Sequence, residues 1–361
     1  MLVVRWFRVD EAADVEALRR RLGLERLSVA LGTRLAVVTG LGARAPFPVV
    51  AEGGGAALVA PEALPHALVP CASTAPFALG SDPVAFGGLP RILGIINVTP
   101  DSFSDGGQHA VTEAAVAHGL AMVAAGADWL DIGGESTRPG AVSVPTDVEL
   151  ERVLPVIRGL HAARPEVPLS IDTTKPDVAA QALAAGAVLV NDVSGFGADG
   201  MAEVVAKAGA SACVMHRRGT PASMQQAPRY DDVVHEVVEA LEASLLRGEA
   251  AGVPRERVLV DPGIGFGKTL AHNLALLRHL EALRGLRAGG VLLGTSRKSF
   301  LGAVTGVPEA AKRVLASAVT AALAASKRTV DVVRVHDVSE TREALRVADA
   351  IRTARQAGDR W

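Results

Sequence analysis

Asp261 closes an apolar run, Val258 to Val260, and is followed at once by Pro262 and by glycines at alternate positions, Gly263, Gly265 and Gly267. The run reads as a buried strand. A carboxylate at the end of such a strand is costly unless something pairs with it. Glycine lets a backbone come close to a flat ligand or take positive φ. The stretch DPGIGFGKT therefore reads as a carboxylate presented to a bound molecule inside a tight loop, the alternative being a decorated turn. Recurrence favours the ligand reading. Asn97, Asp131, Asp172, Asn191, His216, Ser296, and then Arg334 and His336, each stand at the end of another strand-like run.

The loops between these runs carry further chemistry. NVTPDSFSDGG, Asn97 to Gly107, has the composition of a loop that closes over a site while carrying Asp101 and Phe103 inward. GGESTRPG sets the Thr137 hydroxyl beside the Arg138 guanidinium, whose planar fork suits a diphosphate. SRKSF puts Arg297, Lys298 and Ser299 at a helix start, where backbone N–H groups and cations make an anion pocket. Alternation along VVRVHDV turns Arg334 and His336 to one face.

Competing readings fall away in turn. GIGFGKT mimics the tail of a nucleotide-phosphate loop, but the position needing the first glycine is Pro262. Lys298 lies beyond its strand, which favours a cationic hydrogen-bond donor over a Schiff base. Asp131, Asp172 and Asp261 could chelate a metal together; with lysine and arginine near, ligand recognition is preferred, leaving Mg²⁺ to substrate phosphates. No serine, histidine and aspartate arrangement is visible.

These residues need strands that all end on one rim. From Arg91 onward the runs RILGIIN, WLDIGG, PLSIDT, LVNDV, SACVMH, VLVDPG, VLLGTS and VVRVHD are each followed by a helix-length segment. The pattern is α/β, and eight units favour a closed (β/α)8 TIM barrel over an open doubly wound sheet. Residues 1–88 read as a small N-terminal α/β extension of unknown role, with a charged helical run at Glu11 to Arg21, and SDPVAFGGLP as a linker to a barrel over residues 89–361. Within it GGGAALVAPEALPHALV reads as turn plus helix rather than a ligand loop. The segment Val314 to Ser326, VLASAVTAALAAS, has no charge although an outer barrel helix should show water a polar face. Cover by the N-terminal section would explain it; a homodimer interface does so by symmetry.

Composition narrows the partners. Lys and Arg (37) nearly balance Asp and Glu (39), so neither nucleic acid nor an anionic membrane is the expected partner. Cys71 and Cys213 make no disulfide framework. With no signal-peptide pattern and no membrane-length apolar span, a soluble cytoplasmic protein is expected.

In this order and spacing, INVTPDSFSDGG, DIGGESTRPG, SIDTTKP, VNDVSG, DPGIGFGKT, GTSRKSFLG and RVHDV resemble the dihydropteroate synthases of folate biosynthesis, from Arg91 to the C-terminus. The resemblance implies a barrel that joins 6-hydroxymethyl-7,8-dihydropterin diphosphate to 4-aminobenzoate with Mg²⁺ and releases diphosphate, a reaction that is a sulfonamide target. By the same resemblance Asp261 would accept from the pterin's 2-amino group and ring N–H, with Asn191 and Asp172 completing that edge. Lys298 would donate to the carbonyl side, and Met215 and Phe266 would pack on the ring. Asn97 would help hold Mg²⁺ and, with Thr137, Arg138, Arg334 and His336, the diphosphate. Asp101, Phe103, Pro139 and Ser299 would frame the aminobenzoate. An aromatic amine is neutral near pH 7, so departure of the diphosphate is the difficult step, and Arg138, Arg334, His336 and Mg²⁺ would offset its developing charge, with Asp101 and Lys298 completing the expected catalytic set. A dissociative substitution is the expected course. A pterin-dependent methyltransferase domain and a non-catalytic pterin-binding protein are the rivals; the intact loops weigh against both.

Overall fold

Alternation of apolar and functional residues builds the site-bearing part of the chain. The computed structural model describes residues 3–9, 33–39, 51–53, 56–59, 76–80, 82–99, 108–136, 143–219 and 224–354. Asp101, Phe103, Thr137, Arg138 and Pro139, the run Glu11 to Arg21 and Cys71 lie outside these residues. In the N-terminal section, β1 (Val3–Val9), β2 (Thr33–Thr39), β3 (Ala51–Gly53) and β4 (Ala56–Val59) form an antiparallel sheet of order β1-β2-β4-β3.

The stretch expected to be a linker instead packs against the barrel. β5 (Phe77–Leu79) and β6 (Asp82–Val84) pair as an antiparallel hairpin. Phe77 is wholly buried and stacks on Phe86 at 5.7 Å between ring centroids, and it meets Trp129 at 6.1 Å. A (β/α)8 barrel has an open lower end whose apolar side chains must be covered, and two phenylalanines in SDPVAFGGLP and its flank were the signal for this plug.

β7 (Arg91–Asn97), β8 (Trp129–Gly133), β9 (Leu169–Asp172), β10 (Leu189–Asp192), β11 (Ser211–Met215), β12 (Val258–Asp261), β13 (Gly290–Leu293) and β14 (Val332–Val335) pair in parallel throughout, and β14 returns to β7 to close the barrel. Because strand side chains alternate, residues two apart share a face. Leu93, Trp129, Leu189, Cys213, Leu259, Leu292 and Val332 form one apolar cluster with Phe77 and Leu79. Two residues further along their strands come Asp131, Asn191, Met215, Asp261, Gly294 and Arg334. The interior is thus an apolar floor with a recognition layer directly above it, at the strand C-terminal ends. The opposite strand faces, such as Ile92, Ile96, Ile132, Ile171, Val190 and Val260, belong to the main core under the helices.

The uncharged helix Val314–Ser326 buries its small residues Ala318, Ala321, Ala324 and Ala325 but exposes Leu315 (77%), Val319 (47%) and Leu323 (60%). These lie at i, i+4 and i+8, one stripe of the helix. The helix packs beside Val338–Thr353, which exposes Val347 and Ile351. Among the described residues no helix is long and apolar enough to cross a membrane.

Candidate active site

Register brings the recognition layer together. Gly133 pairs with Asp172, Asp172 with Asn191, and Met215 with Asp261 across adjacent strands. Arg334, on the far wall, reaches back over this layer. Its Nε donates to Asp131 Oδ2 at 2.5 Å and its NH2 group to Asp172 Oδ2 at 2.7 Å. The Asn191 amide donates to the same Asp131 oxygen at 2.9 Å. The resemblance had given Arg334 to the diphosphate; in the structure its guanidinium is held by the two carboxylates. Burial opposes the charge on Arg334, but Asp131 and Asp172 outweigh it and hold the pKa above the ordinary value. Burial pushes Asp172 up to about 7, with Arg334 pulling down and Asp131 pushing up.

Asp131 is wholly buried, and Asp131 Oδ1 and Asp172 Oδ1 have no hydrogen-bond partner among the described residues. Buried acceptors left unpaired cost about 1–3 kcal/mol each. A ligand edge that carries N–H donors recovers that cost. Asp261 Oδ1 is taken by the Gly263 N–H at 2.7 Å. Burial raises the Asp261 pKa, and Lys298 and the Gly263 hydrogen bond work against the rise.

Lys298 donates to the Ile264 carbonyl and stands over the Phe266 ring, 4.7 Å from its centroid. Burial lowers its pKa to about 8, with Asp261 opposing. Asp261, Lys298 and Phe266 therefore form one unit, and Met215 is buried beside Asp261. His336 contacts Ser296 twice: its N–H donates to Oγ at 3.1 Å, and its Nδ1 lies 3.0 Å from the same oxygen. Asn97, half-buried, ends β7 at the same rim. Ser299 is exposed at the start of the short helix Ser299–Thr305.

Three expectations are corrected or extended. Arg297 does not line an anion pocket: at φ +59° it turns to Asp337, Nε to Oδ2 at 3.0 Å, while its backbone N–H donates to Ser317. His216 is not a rim group facing a ligand. It is buried against Lys268, with its Nδ1 2.9 Å from the ammonium, and burial together with Lys268 takes its pKa down to about 3. A half-buried cluster lies at the base of the second loop: Lys175 reaches both Glu135 and Glu149, and Glu135 also accepts from Ser143 Oγ and the Val144 N–H at 3.0 Å each. Burial works against the Lys175 charge, and the two glutamates raise its pKa regardless. The signal for this cluster was weak: Glu135 and Lys175 lie in two different motifs, DIGGESTRPG and SIDTTKP, and Glu149 lies in none.

A protein-family model described as "Pterin binding enzyme" matches residues 93–336. The chain belongs to this pterin-binding enzyme family. Within the family the chain falls among the dihydropteroate synthases. It is 43% identical over 267 residues to the dihydropteroate synthase of Escherichia coli K12, covering 74% of this chain and 93% of that protein. The Xanthomonas albilineans dihydropteroate synthase solved with 4-aminobenzoic acid matches at TM-score 0.69 and 48% identity, over 74% of this chain and 94% of that one. The same enzyme solved with 7,8-dihydropteroate matches at TM-score 0.67 and 45% identity, over 74% and 95%. The pterin-binding match begins within β7 and ends at His336, so it spans the barrel and leaves the N-terminal sheet outside.

Proposed function

We infer that this chain is a dihydropteroate synthase, a transferase that joins 6-hydroxymethyl-7,8-dihydropterin diphosphate to 4-aminobenzoate and releases diphosphate. The observation that carries the reading is the recognition layer: Asp131, Asp172, Asn191 and Asp261 present buried acceptors and an amide above the apolar floor, with Lys298 and Phe266 at its side. A dihydropterin offers a fixed edge of N–H donors with a carbonyl next to them. A set of buried polar groups selects such a ring sharply, because any analogue lacking a donor leaves an acceptor unpaired.

In this reading Asp261 receives the 2-amino and ring N–H donors, Asn191 and Asp172 complete the edge, Lys298 donates to the carbonyl side, and Met215 and Phe266 pack on the ring. The exocyclic carbon then faces the mouth of the barrel. His336, Arg138 and Thr137 are proposed to meet the diphosphate there, while Arg334, held by Asp131 and Asp172, adds its charge from the recognition layer. Positive groups there stabilise the charge that develops as diphosphate leaves. The incoming amine is neutral and needs no prior deprotonation, so the absence of a dedicated base among the assigned residues fits a dissociative course. Asp101, Phe103, Pro139 and Ser299 are proposed to frame the aminobenzoate. Sulfonamides, which share its shape, are then expected to compete with it.

Mg²⁺ would fit the described donor set at Asn97. Among the described residues no cluster of three metal-ligating side chains exists, whereas Asn97 offers one hard oxygen at the rim. An ion held by Asn97 and by substrate phosphate oxygens agrees with the habit of Mg²⁺ to keep few protein ligands. When bound it would neutralise charge on the leaving diphosphate.

The test is diphosphate release by the purified protein with the pterin diphosphate and Mg²⁺. Release that requires 4-aminobenzoate and yields 7,8-dihydropteroate is expected. Pterin binding without turnover would leave a binding protein, and the absence of both would overturn the reading.

The apolar stripe Leu315, Val319 and Leu323 is proposed as the seam of a homodimer, joined by Val347 and Ile351 of the neighbouring helix. Burying such side chains by symmetry removes apolar area worth about 25 cal/mol per Å² from water. Leu323→Glu is expected to convert a dimer into a monomer at micromolar concentration, since an unpaired charge in that seam is costly. Sedimentation velocity reads this directly, and an unchanged sedimentation coefficient would remove the stripe from the interface.

A further inference from the structure

The glycine-rich loop after β12 is held by its carbonyls. Lys268 Nζ donates to Gly263 O at 2.9 Å and to Phe266 O at 3.0 Å. Lys298 donates to Ile264 O, Gln225 Nε2 to Gly265 O at 2.6 Å, and the Tyr230 hydroxyl to Gly267 O at 2.8 Å. Five successive carbonyls, from residue 263 to residue 267, are thus taken by four side chains. Three of these glycines sit at positive φ: Gly263 at +67°, Gly265 at +86° and Gly267 at +62°. A Cβ at Gly263 would lie 1.9 Å from His216 O, and one at Gly267 would lie 2.5 Å from Arg218 O. The loop backbone therefore lies directly on the residues that follow β11.

Lys268 is the centre of this arrangement. It is 3% exposed, and its Nζ also lies 2.9 Å from His216 Nδ1. Burial and Lys268 take the His216 pKa down to about 3, so the ring is neutral where it meets the lysine. Through His216 the lysine ties β11 to the loop of β12, and through the Gly263 and Phe266 carbonyls it fixes both ends of the turn between Asp261 and the Phe266 ring.

We propose that Lys268 is a positioning residue for pterin recognition, which sets Asp261, Phe266 and Lys298 in register without itself touching the substrate. The proposal rests on the pterin reading of the site. Burial draws the Lys268 pKa down to about 7, with Asp261 opposing the fall, so the position is an unfavourable place for an ammonium. A methionine there would keep the volume and remove that penalty. What opposes that penalty is the set of groups the lysine contacts, the Gly263 and Phe266 carbonyls and His216 Nδ1, and these are the contacts that shape the loop.

Lys268→Met is expected to raise the KM for pterin diphosphate at least thirtyfold and to leave the KM for 4-aminobenzoate within twofold. Tyr230→Phe, which frees only the Gly267 carbonyl, is expected to show the same split at three- to tenfold. A merely structural role would lower kcat with the folded fraction and leave both KM values unchanged, or raise both together; either result overturns the proposal. If Lys268→Met fails to fold, Tyr230→Phe and Gln225→Leu carry the same test, and the absence of any split in both overturns it. A wild-type chain that binds no pterin would overturn the pterin reading along with the proposal, whereas an active wild type with unsplit variants overturns the positioning role alone.

Discussion

Arg334→Leu is expected to destabilise the chain by about 3–5 kcal/mol at neutral pH, because it removes the one cation among the described residues that pairs with both Asp131 and Asp172 and leaves those carboxyl groups buried together. Replacement by leucine does not restore the balance. Asp131 is wholly buried and Asp172 is 7% exposed, so water cannot substitute for the guanidinium. The pH dependence identifies the cause. With Arg334 present the folded-state pKa of Asp172 is already about 7, against about 3.9 in an unfolded chain. The folded state therefore holds a proton that the unfolded state has released, and this group lowers stability as pH rises from about 4 through the folded pKa. Without Arg334 that pKa moves higher and the window widens. The variant should lose least near pH 5 and most near pH 8, as read from denaturant midpoints at each pH. A second change, Asp172→Asn in the Arg334→Leu background, should recover about 2 kcal/mol, a coupling typical of residues in one network. A pH-independent deficit would mean that packing, not charge, holds Arg334 in place.

That pair of carboxylates also shows what could be read in advance. Asp131, Asp172, Asn191, Asp261 and Arg334 were legible because each follows an apolar run with the two-residue period of a strand, and a parallel barrel brings all such ends to one rim. The eight strands were legible for the same reason. Which partner each side chain takes was not. Arg334 and Asp131 are 203 residues apart, and only the closure of β14 on β7 sets the distance. Periodicity also says nothing about a lysine that lies outside any strand. Lys268 read as part of a phosphate-loop mimic, and its acceptors are carbonyls, which every residue carries. Arg297 misled in the opposite direction, because a cation at a helix start is a ligand group only if no nearer acid claims it, and Asp337 does. Phe86 read as part of a linker and Phe77 as part of the N-terminal section, since a plug under a barrel needs only bulk and a hairpin, with no period to betray it.

Asp261→Asn is expected to lower kcat/KM for pterin diphosphate about a thousandfold while leaving the fold as stable as before or slightly more stable. The amide is isosteric, and its oxygen can keep the Gly263 N–H. Its NH2 group must then point to where Lys298 and the pterin's own donors converge, so donors face donors. Loss of charge-assisted hydrogen bonds worth about 1.5–3 kcal/mol, with that mismatch added, gives roughly 4 kcal/mol, or three decades in rate. Stability moves the other way because burial raises the Asp261 pKa, and a neutral amide is free of that penalty. A steric variant separates charge from shape. A Cβ at Gly294 would sit 3.6 Å from Asp261 Oδ2 and 3.9 Å from Lys298 Nζ, ordinary contacts within the protein. Gly294→Ala should therefore fold normally and keep the Asp261 charge, yet lose pterin affinity at least tenfold because its methyl enters the space between the two recognition groups. Calorimetry with the pterin diphosphate reads both variants. Retention of wild-type affinity in Gly294→Ala would show that the ring lies away from this wall, and retention of turnover within tenfold in Asp261→Asn would remove Asp261 from the recognition edge.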